Sequence, residues 1–509
     1  MKKKNASLIA GISCLAAAAA WHSLDVKTGI QATVASWQMG QYLLLSALVA
    51  AFAAVCGYFL LEKNIPWSFP KLAVLMAGGL GVLYLFVLPP LSAPDEISHY
   101  VSAYRLSSQL TGQPQRDRYG RVLLRAQDAW VEDLDGDFIY EPDEDGNLQV
   151  TEESREQAVK LGETLDESAY ELFHALGING QYAPERTAEI QAQGAYVSST
   201  YPPVTTTPLA YVPQAIGISA ARLLGLNTVC LLYFGRLCNL LFFIGMLYLA
   251  VKRIPFGKEV LLGVALLPMT LHLAASFSYD VMILGCMFLL TAVCLDLAFE
   301  AEQVRIRDVV LLAVLAAVAG PCKMVYAPML GLCLLVPVRK FGGARNWFVS
   351  AFVVAGAWAV SMYLVNSQVI TTYATEADSY VAWAEEAGFS MNLLIHNPVL
   401  LVRMFYQTLV WNAKDMHITM IGGWLGNLDQ VLDVPYLVVW ILTLCLIGLA
   451  LKIPAEQIRM NLRQRFWVGV LAAACAGLTM LSMLIAWTPL SSRVILGVQG
   501  RYFLPFLPV

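Results

Sequence analysis

Long apolar runs separated by short charged patches make up most of this chain. A helix needs ~20 predominantly apolar residues to cross a bilayer. Stretches of that kind recur at 41–61, 71–89, 227–251, 258–277, 279–299, 347–365, 434–451 and 466–488. The stretch 309–338 is too long for one span and is interrupted by Gly320-Pro321-Cys322-Lys323, which predicts two short helices with a charge at the break. Broken helices of this sort line cavities, because lipid cannot satisfy the freed backbone groups. The stretch 205–224 carries Pro208 and Pro213 and reads as an interfacial or re-entrant helix. The start, Met1-Lys2-Lys3-Lys4 with an apolar run to Ala20, has the pattern of a signal peptide and equally of a short first span. The many later spans favour the retained helix. At the far end, Tyr502-Phe503-Leu504-Pro505 opens an apolar run too short to span, so the expectation is that the natural chain continues past Val509.

Composition agrees with that pattern. Of 509 residues, 58% are hydrophobic and only 14% charged, and the mean hydropathy is +0.60. Soluble domains carry about 25% charged residues. Disorder, a collagen-like chain, a secreted disulfide scaffold and an ordinary cytosolic enzyme are therefore excluded. None of the ten cysteines lies in the acidic segment and none forms a Cys-x-x-Cys pair, which points to neither a zinc site nor a disulfide framework.

The formal net charge of −4 hides a segregation: residues 90–203 hold 21 acidic against 8 basic side chains. An acidic, water-facing segment is set into a mildly basic apolar body, which excludes nucleic acid as a partner. Basic residues at Lys63, Lys71, Lys252-Arg253, Arg305/Arg307, Arg339-Lys340-Arg345 and the 452–465 loop mark the inner side. The acidic segment, Asp280, Lys323, the 366–433 loop and Arg501 then fall outside. Asp133 to Asp145 resembles a calcium loop only loosely, without EF-hand spacing, and reads as a solvated acidic loop.

Four places carry candidate chemistry. The first is Pro94-Asp95-Glu96-Ile97-Ser98-His99, where a helix leaves the membrane. Asp95 and His99, four apart, share a face if the turn is helical. A carboxylate losing hydration there becomes a usable base. The bland alternative is a helix start, with Ser92 as N-cap and Asp95 completing a capping box. The second is Asp280 in Ser276-Phe277-Ser278-Tyr279-Asp280, an acid beside membrane segments or simply a turn residue. The third is Lys323 after the Gly-Pro break, suited to a phosphate or a paired carboxylate, or else snorkelling to headgroups. The fourth is Gly500-Arg501-Tyr502, where the arginine could grip a phosphate or anchor the helix. Arg236 and Asn239 sit inside an apolar stretch and are expected to face protein.

These residues, taken in order with the Tyr201-Pro202-Pro203 approach, resemble the bacterial membrane proteins grouped as domain of unknown function 2142. The likeness runs from about Leu72 to the end. The Pro-Asp-Glu-x-x-His signature and the Gly-Arg-Tyr-Phe ending carry it most strongly. That family looks like a branch of the C-type (GT-C) glycosyltransferases, polytopic enzymes that use sugars on polyprenyl phosphate.

The resemblance implies an all-α polytopic membrane protein, a GT-C-like bundle of about 11–13 transmembrane helices with a large extracytoplasmic loop. Its parts would be N-terminal extra helices at 1–70, the helix leading to the acidic motif at 71–89, the acidic loop with its interfacial helix at 90–226, central helices at 227–365, a second outer loop at 366–433 and C-terminal helices at 434–509. It would sit in the bacterial cytoplasmic membrane with its site facing outward.

The expected reaction is an inverting transfer of a hexosyl or pentosyl unit from a polyprenyl-phosphate donor to an envelope glycan or lipid, in polysaccharide biosynthesis. Asp95, Glu96, His99 and Asp280 are the expected catalytic residues. Lys323, Arg501, Tyr502 and Arg236 are the expected donor-phosphate residues. A divalent cation, Mg or Mn, would fall at Asp95, Glu96 and His99 if one is used. The rival readings are a transporter or flippase of lipid-linked saccharides and a non-enzymatic envelope assembly protein.

Overall fold

The computed structural model describes residues 68–88, 90–128, 140–142, 148–150, 195–204, 206–226, 228–375, 379–426, 432–451, 458 and 460–509. The first helix, the 41–61 run, Lys63 and most of the Asp133–Asp145 loop lie outside the described residues. The described chain is mostly helical, as an all-α polytopic membrane protein requires.

The helices, in chain order, are α1 (Phe69–Val87), α2 (Glu96–Leu110), α3 (Val212–Leu223), α4 (Thr228–Arg253), α5 (Lys258–Ala265), α6 (Pro268–Ala274) and α7 (Asp280–Phe299). They continue with α8 (Ile306–Cys322), α9 (Ala344–Thr375), α10 (Met391–His396), α11 (Pro398–Trp411), α12 (Ala413–Ile421), α13 (Tyr436–Ala450) and α14 (Leu462–Trp487). Among the described residues five are long and apolar enough to cross a membrane: α1, α4, α7, α9 and α14. Burial sorts them. The α7 span is 94% buried and that of α9 only 11%, so α7 forms the centre of the bundle and α9 the edge of the described residues.

Three expectations about apolar runs can be compared with the structure. The run 309–338 does divide at the Gly-Pro break: α8 ends at Cys322, and Met324–Leu335 winds on as a 3-10 helix. The run 205–224 forms a 3-10 turn, Pro208–Tyr211, and then α3. Twelve residues of α-helix reach only ~18 Å, well short of a bilayer core. The run 258–277 is not one span. It breaks at Leu266-Leu267 into α5 and α6, because Pro268 has no N–H to continue the ladder. The 366–433 segment, read as an outer loop, carries α10, α11 and α12.

Small residues let backbones approach in the absence of a hydrophobic drive between helices. Gly217 of α3 lies against the Phe234 carbonyl of α4, so closely that a Cβ there would overlap it. Gly245, further along α4, has nothing near its would-be Cβ. Gly217→Leu should therefore cost about 1–3 kcal/mol, since backbone must move. Thermal unfolding in detergent checks this, with Gly245→Leu as the neutral reference. Equal melting of the two variants would count against the contact.

Among the described residues four two-stranded antiparallel ribbons decorate the helices. The one that matters for the site joins Leu123–Arg125 to Tyr196–Ser198, with Leu124 opposite Val197. It ties both ends of the acidic segment together beside α2. Asp128 accepts from Tyr104 at 2.7 Å, from Arg125 at 2.6 Å and from Thr228 at 2.9 Å, locking the ribbon to α2 and α4.

Candidate functional site

The irregular backbone between α6 and α7 explains the polar residues of α4. Residues 275–278 are buried without a regular hydrogen-bond ladder, so their polar groups need other partners. Arg236 Nε donates to the Ala275 carbonyl at 2.5 Å, and its Nη1 to the Leu88 carbonyl at 2.9 Å. Asn239, three residues on and so on the same helix face, donates to the Ser276 and Ser278 carbonyls at 2.8 and 3.1 Å. Gln214 of α3 donates to the Phe277 and Ser278 carbonyls at 3.2 and 3.3 Å.

Glu96 completes this inner knot. Its carboxylate accepts from Phe277 N at 2.8 Å and Ala93 N at 2.9 Å, and lies 3.5 Å from Arg236 Nε. Glu96 and Arg236 are both fully buried. Expected as a catalytic and a phosphate-binding group, they are placed where they hold the two loops that carry Asp95 and Asp280.

The capping carboxylate at the start of α2 is thus Glu96, reaching back three residues, and not Asp95. Asp95 occupies the N-cap position, makes no side-chain cap bond, and adopts φ 57° in the left-handed region. Such a conformation costs a non-glycine residue of order 1 kcal/mol and persists where surrounding structure imposes it. Its side chain is 67% exposed.

Outside the knot lies a ladder of charges drawn from four distant segments. Arg501 Nη2 donates to Asp95 Oδ2 at 3.2 Å, and Arg501 Nη1 is 3.8 Å from Asp280 Oδ2. Lys323 Nζ donates to Asp280 Oδ1 at 2.8 Å. The ammonium sits 4.3 Å over the Tyr502 ring and 5.2 Å over that of Tyr279, which favours a cation held in place. Arg501 is only 5% exposed, yet among the described residues its Nε and Nη1 make no hydrogen bond, Nη1 having only the longer ion pair to Asp280. Buried guanidinium donors without acceptors are costly, and an incoming anion would satisfy them.

His99 lines the same place. Its Nδ1 shares a 2.8 Å hydrogen bond with the Tyr211 hydroxyl, and its ring meets Tyr279 edge-on at 5.2 Å. Burial pushes its imidazole down to about 4, against the opposing pull of Asp95 and Asp280. Arg501 and Lys323 add to the downward push. Among the described residues no group of three His, Cys, Asp or Glu is placed to hold a metal ion. Asp95, Glu96 and His99, the residues named for a cation, are bonded to separate partners.

The neutral His99 gives a pH prediction. Its folded value lies below the ordinary 6.5, so its contribution to stability is intact above that pH and is lost as pH falls from 6.5 towards 4. Over that window the unfolded chain takes up a proton that the folded chain refuses. His99→Gln should flatten the decline in thermal stability between about pH 7 and pH 4. Identical slopes for both proteins would remove His99 from the account.

Glycine brings Arg501 into reach. The 3-10 segment Gly500–Phe506 lies on α12, and a Cβ on Gly500 would overlap the Met416 carbonyl. Gly500 N donates to Thr419 Oγ1 at 2.8 Å, and Tyr326 donates its hydroxyl proton to the Tyr502 carbonyl at 2.8 Å. Thr419, Tyr326, Gln214 and Tyr211 were not singled out in the sequence. Each is an ordinary polar or aromatic residue in an apolar run, and only its distant partner marks it.

A family model described as predicted membrane protein (DUF2142) matches residues 79–509. The chain belongs to this family. The match takes in the inner knot, all four residues of the charge ladder and His99. DUF2142 membership supports a membrane protein and names no reaction. No curated protein and no solved structure matches the chain.

Proposed function

We propose that this DUF2142 protein is a membrane glycosyltransferase. It moves a sugar from a polyprenyl-phosphate donor to a hydroxyl of an envelope glycan or lipid on the extracytoplasmic face. The observation that carries this reading is Arg501: a buried guanidinium with unused donors, touching an exposed carboxylate at Asp95. A phosphate and a hydroxyl are the two groups such a pair is suited to receive.

In this reading the donor phosphate takes the free Nε–H and Nη1–H of Arg501 and loosens its hold on Asp95. Asp95 then accepts the proton of the acceptor hydroxyl as that oxygen bonds to the anomeric carbon. The bond from the anomeric carbon to the phosphate oxygen breaks, and its electron pair leaves with polyprenyl phosphate. Lys323, fixed by Asp280 and two tyrosine rings, adds positive charge beside the departing group. A single displacement inverts the anomeric configuration. His99 and Tyr211 form a neutral hydrogen-bonding wall.

A transfer assay in proteoliposomes tests this. Polyprenyl-phosphate sugars would be offered with extracted envelope acceptors, and release of free polyprenyl phosphate followed. Release that needs both donor and acceptor is expected. Passage of intact lipid-linked sugar across the vesicle bilayer, without release, would overturn the reading in favour of a flippase.

A further inference from the structure

Towards the end of α8 opposite Lys323 the bundle holds a cavity. Leu312 of its wall and Lys323 are eleven residues apart on α8, ~16 Å along the axis. The cavity has a volume of about 290 Å³ and lies between α8, the Met324–Leu335 3-10 helix and α9. Leu312, Leu330, Trp347 and Val354 line it, with Cys333 and the Ser350 hydroxyl.

Its origin is geometric. A 3-10 helix is thinner than an α-helix and stacks side chains three apart on one edge. Leu330 and Cys333 form such an edge here. On the facing side Ser350, Ala351 and Ala355 of α9 are too small to fill the gap. Space this apolar does not hold water.

The rim of the cavity is basic. Val304, Phe341 and Trp347 belong to its wall. Close to them in the chain stand Arg305, Arg339-Lys340 and Arg345, with Arg307 the second residue of α8. Arg305, Arg307, Arg339 and Arg345 are exposed. Lys340 caps the Leu297 and Ala298 carbonyls at 2.9 and 3.0 Å, and Val304 N bonds the Lys340 carbonyl at 2.8 Å, which holds the two rim segments together. The acidic groups nearby are Asp296, Glu300, Glu302 and Asp308, and Asp296 and Asp308 are both already paired with Arg253. Positive charge prevails at the mouth.

We propose that this cavity is a binding site for an anionic glycerophospholipid. One acyl chain would enter between α8 and α9, with the headgroup phosphate on Arg339 and Arg345. Basic pockets between membrane helices select anionic headgroups in this way. The cavity takes only a short length of hydrocarbon, which suits an acyl chain better than a long polyprenyl tail. Its place at the far end of α8 makes it independent of the Asp95–Arg501 site.

The test uses the full chain in neutral phosphatidylcholine nanodiscs. Phosphatidylglycerol with a photoactivatable group in its acyl chain would be added, and crosslinks mapped by mass spectrometry. Labelling of residues 330–355 by this lipid should exceed that by matched phosphatidylcholine at least about fivefold. The double variant Arg339→Ala/Arg345→Ala should bring it down to the phosphatidylcholine level. Ala351→Phe, which fills the cavity, should remove both. Equal labelling by the two lipids, or labelling unaffected by Ala351→Phe, would overturn the proposal. Displacement by polyprenyl phosphate as effectively as by unlabelled phosphatidylglycerol would overturn the choice of lipid.

Discussion

Asp95→Asn should slow sugar transfer by about 10²–10⁴-fold, the usual contribution of a positioned general base. The change removes one charge and almost no volume. It should leave the fold intact, because the Asp95 side chain is 67% exposed and the buried Arg501 keeps a second carboxylate, Asp280, 3.8 Å away. The neighbouring carboxylate provides the contrast. Glu96→Ala would strip two buried N–H groups of their acceptor and Arg236 of its ion-pair partner. It should cost about 3–5 kcal/mol of stability, as the loss of one partner in a buried pair does. The two variants thus separate chemistry from folding at adjacent positions. Polyprenyl phosphate release and thermal unfolding, measured on both, read them out. Equal release by wild type and Asp95→Asn would take the base away from Asp95.

The second large effect belongs to Arg501. Arg501→Ala should lower kcat/KM for the donor by about 10²–10³-fold, since a charge-stabilising donor aimed at the leaving group is lost. Product inhibition by free polyprenyl phosphate should weaken in parallel. Arg501→Lys should recover only part of this, because an ammonium cannot offer two parallel N–H groups to a phosphate. Asp280 keeps its 2.8 Å bond from Lys323 in either variant, so the remaining ladder stays in place. An unchanged donor KM and unchanged inhibition would remove the phosphate from Arg501.

Much of the frame is legible in the sequence, because bilayer thickness imposes a length on apolar runs. The break at Gly320-Pro321 and the short helix after Pro208 follow from proline chemistry. The same chemistry acts at Pro268, where nothing polar marks the break within the apolar run. At the site, Asp95, Asp280, Lys323 and Arg501 stand out as charges at the ends of apolar runs, and the structure gathers all four. Glu96 and Arg236 stand out just as clearly and are buried behind them. Sequence pattern gives a charge its depth along a helix, but which way it faces depends on partners hundreds of residues away.

The ladder also implies an order in time. Synthesis proceeds from the N-terminus, and Asp95 and Arg501 are 406 residues apart. Asp280 and Lys323, only 43 apart, emerge together and can neutralise each other early. Asp95 waits for its partner until nearly all of the described chain has been made and α12 is ready to seat Gly500. In the proposed reading, a nascent or misassembled chain would carry the base but no phosphate grip, and could not consume donor before the bundle is complete.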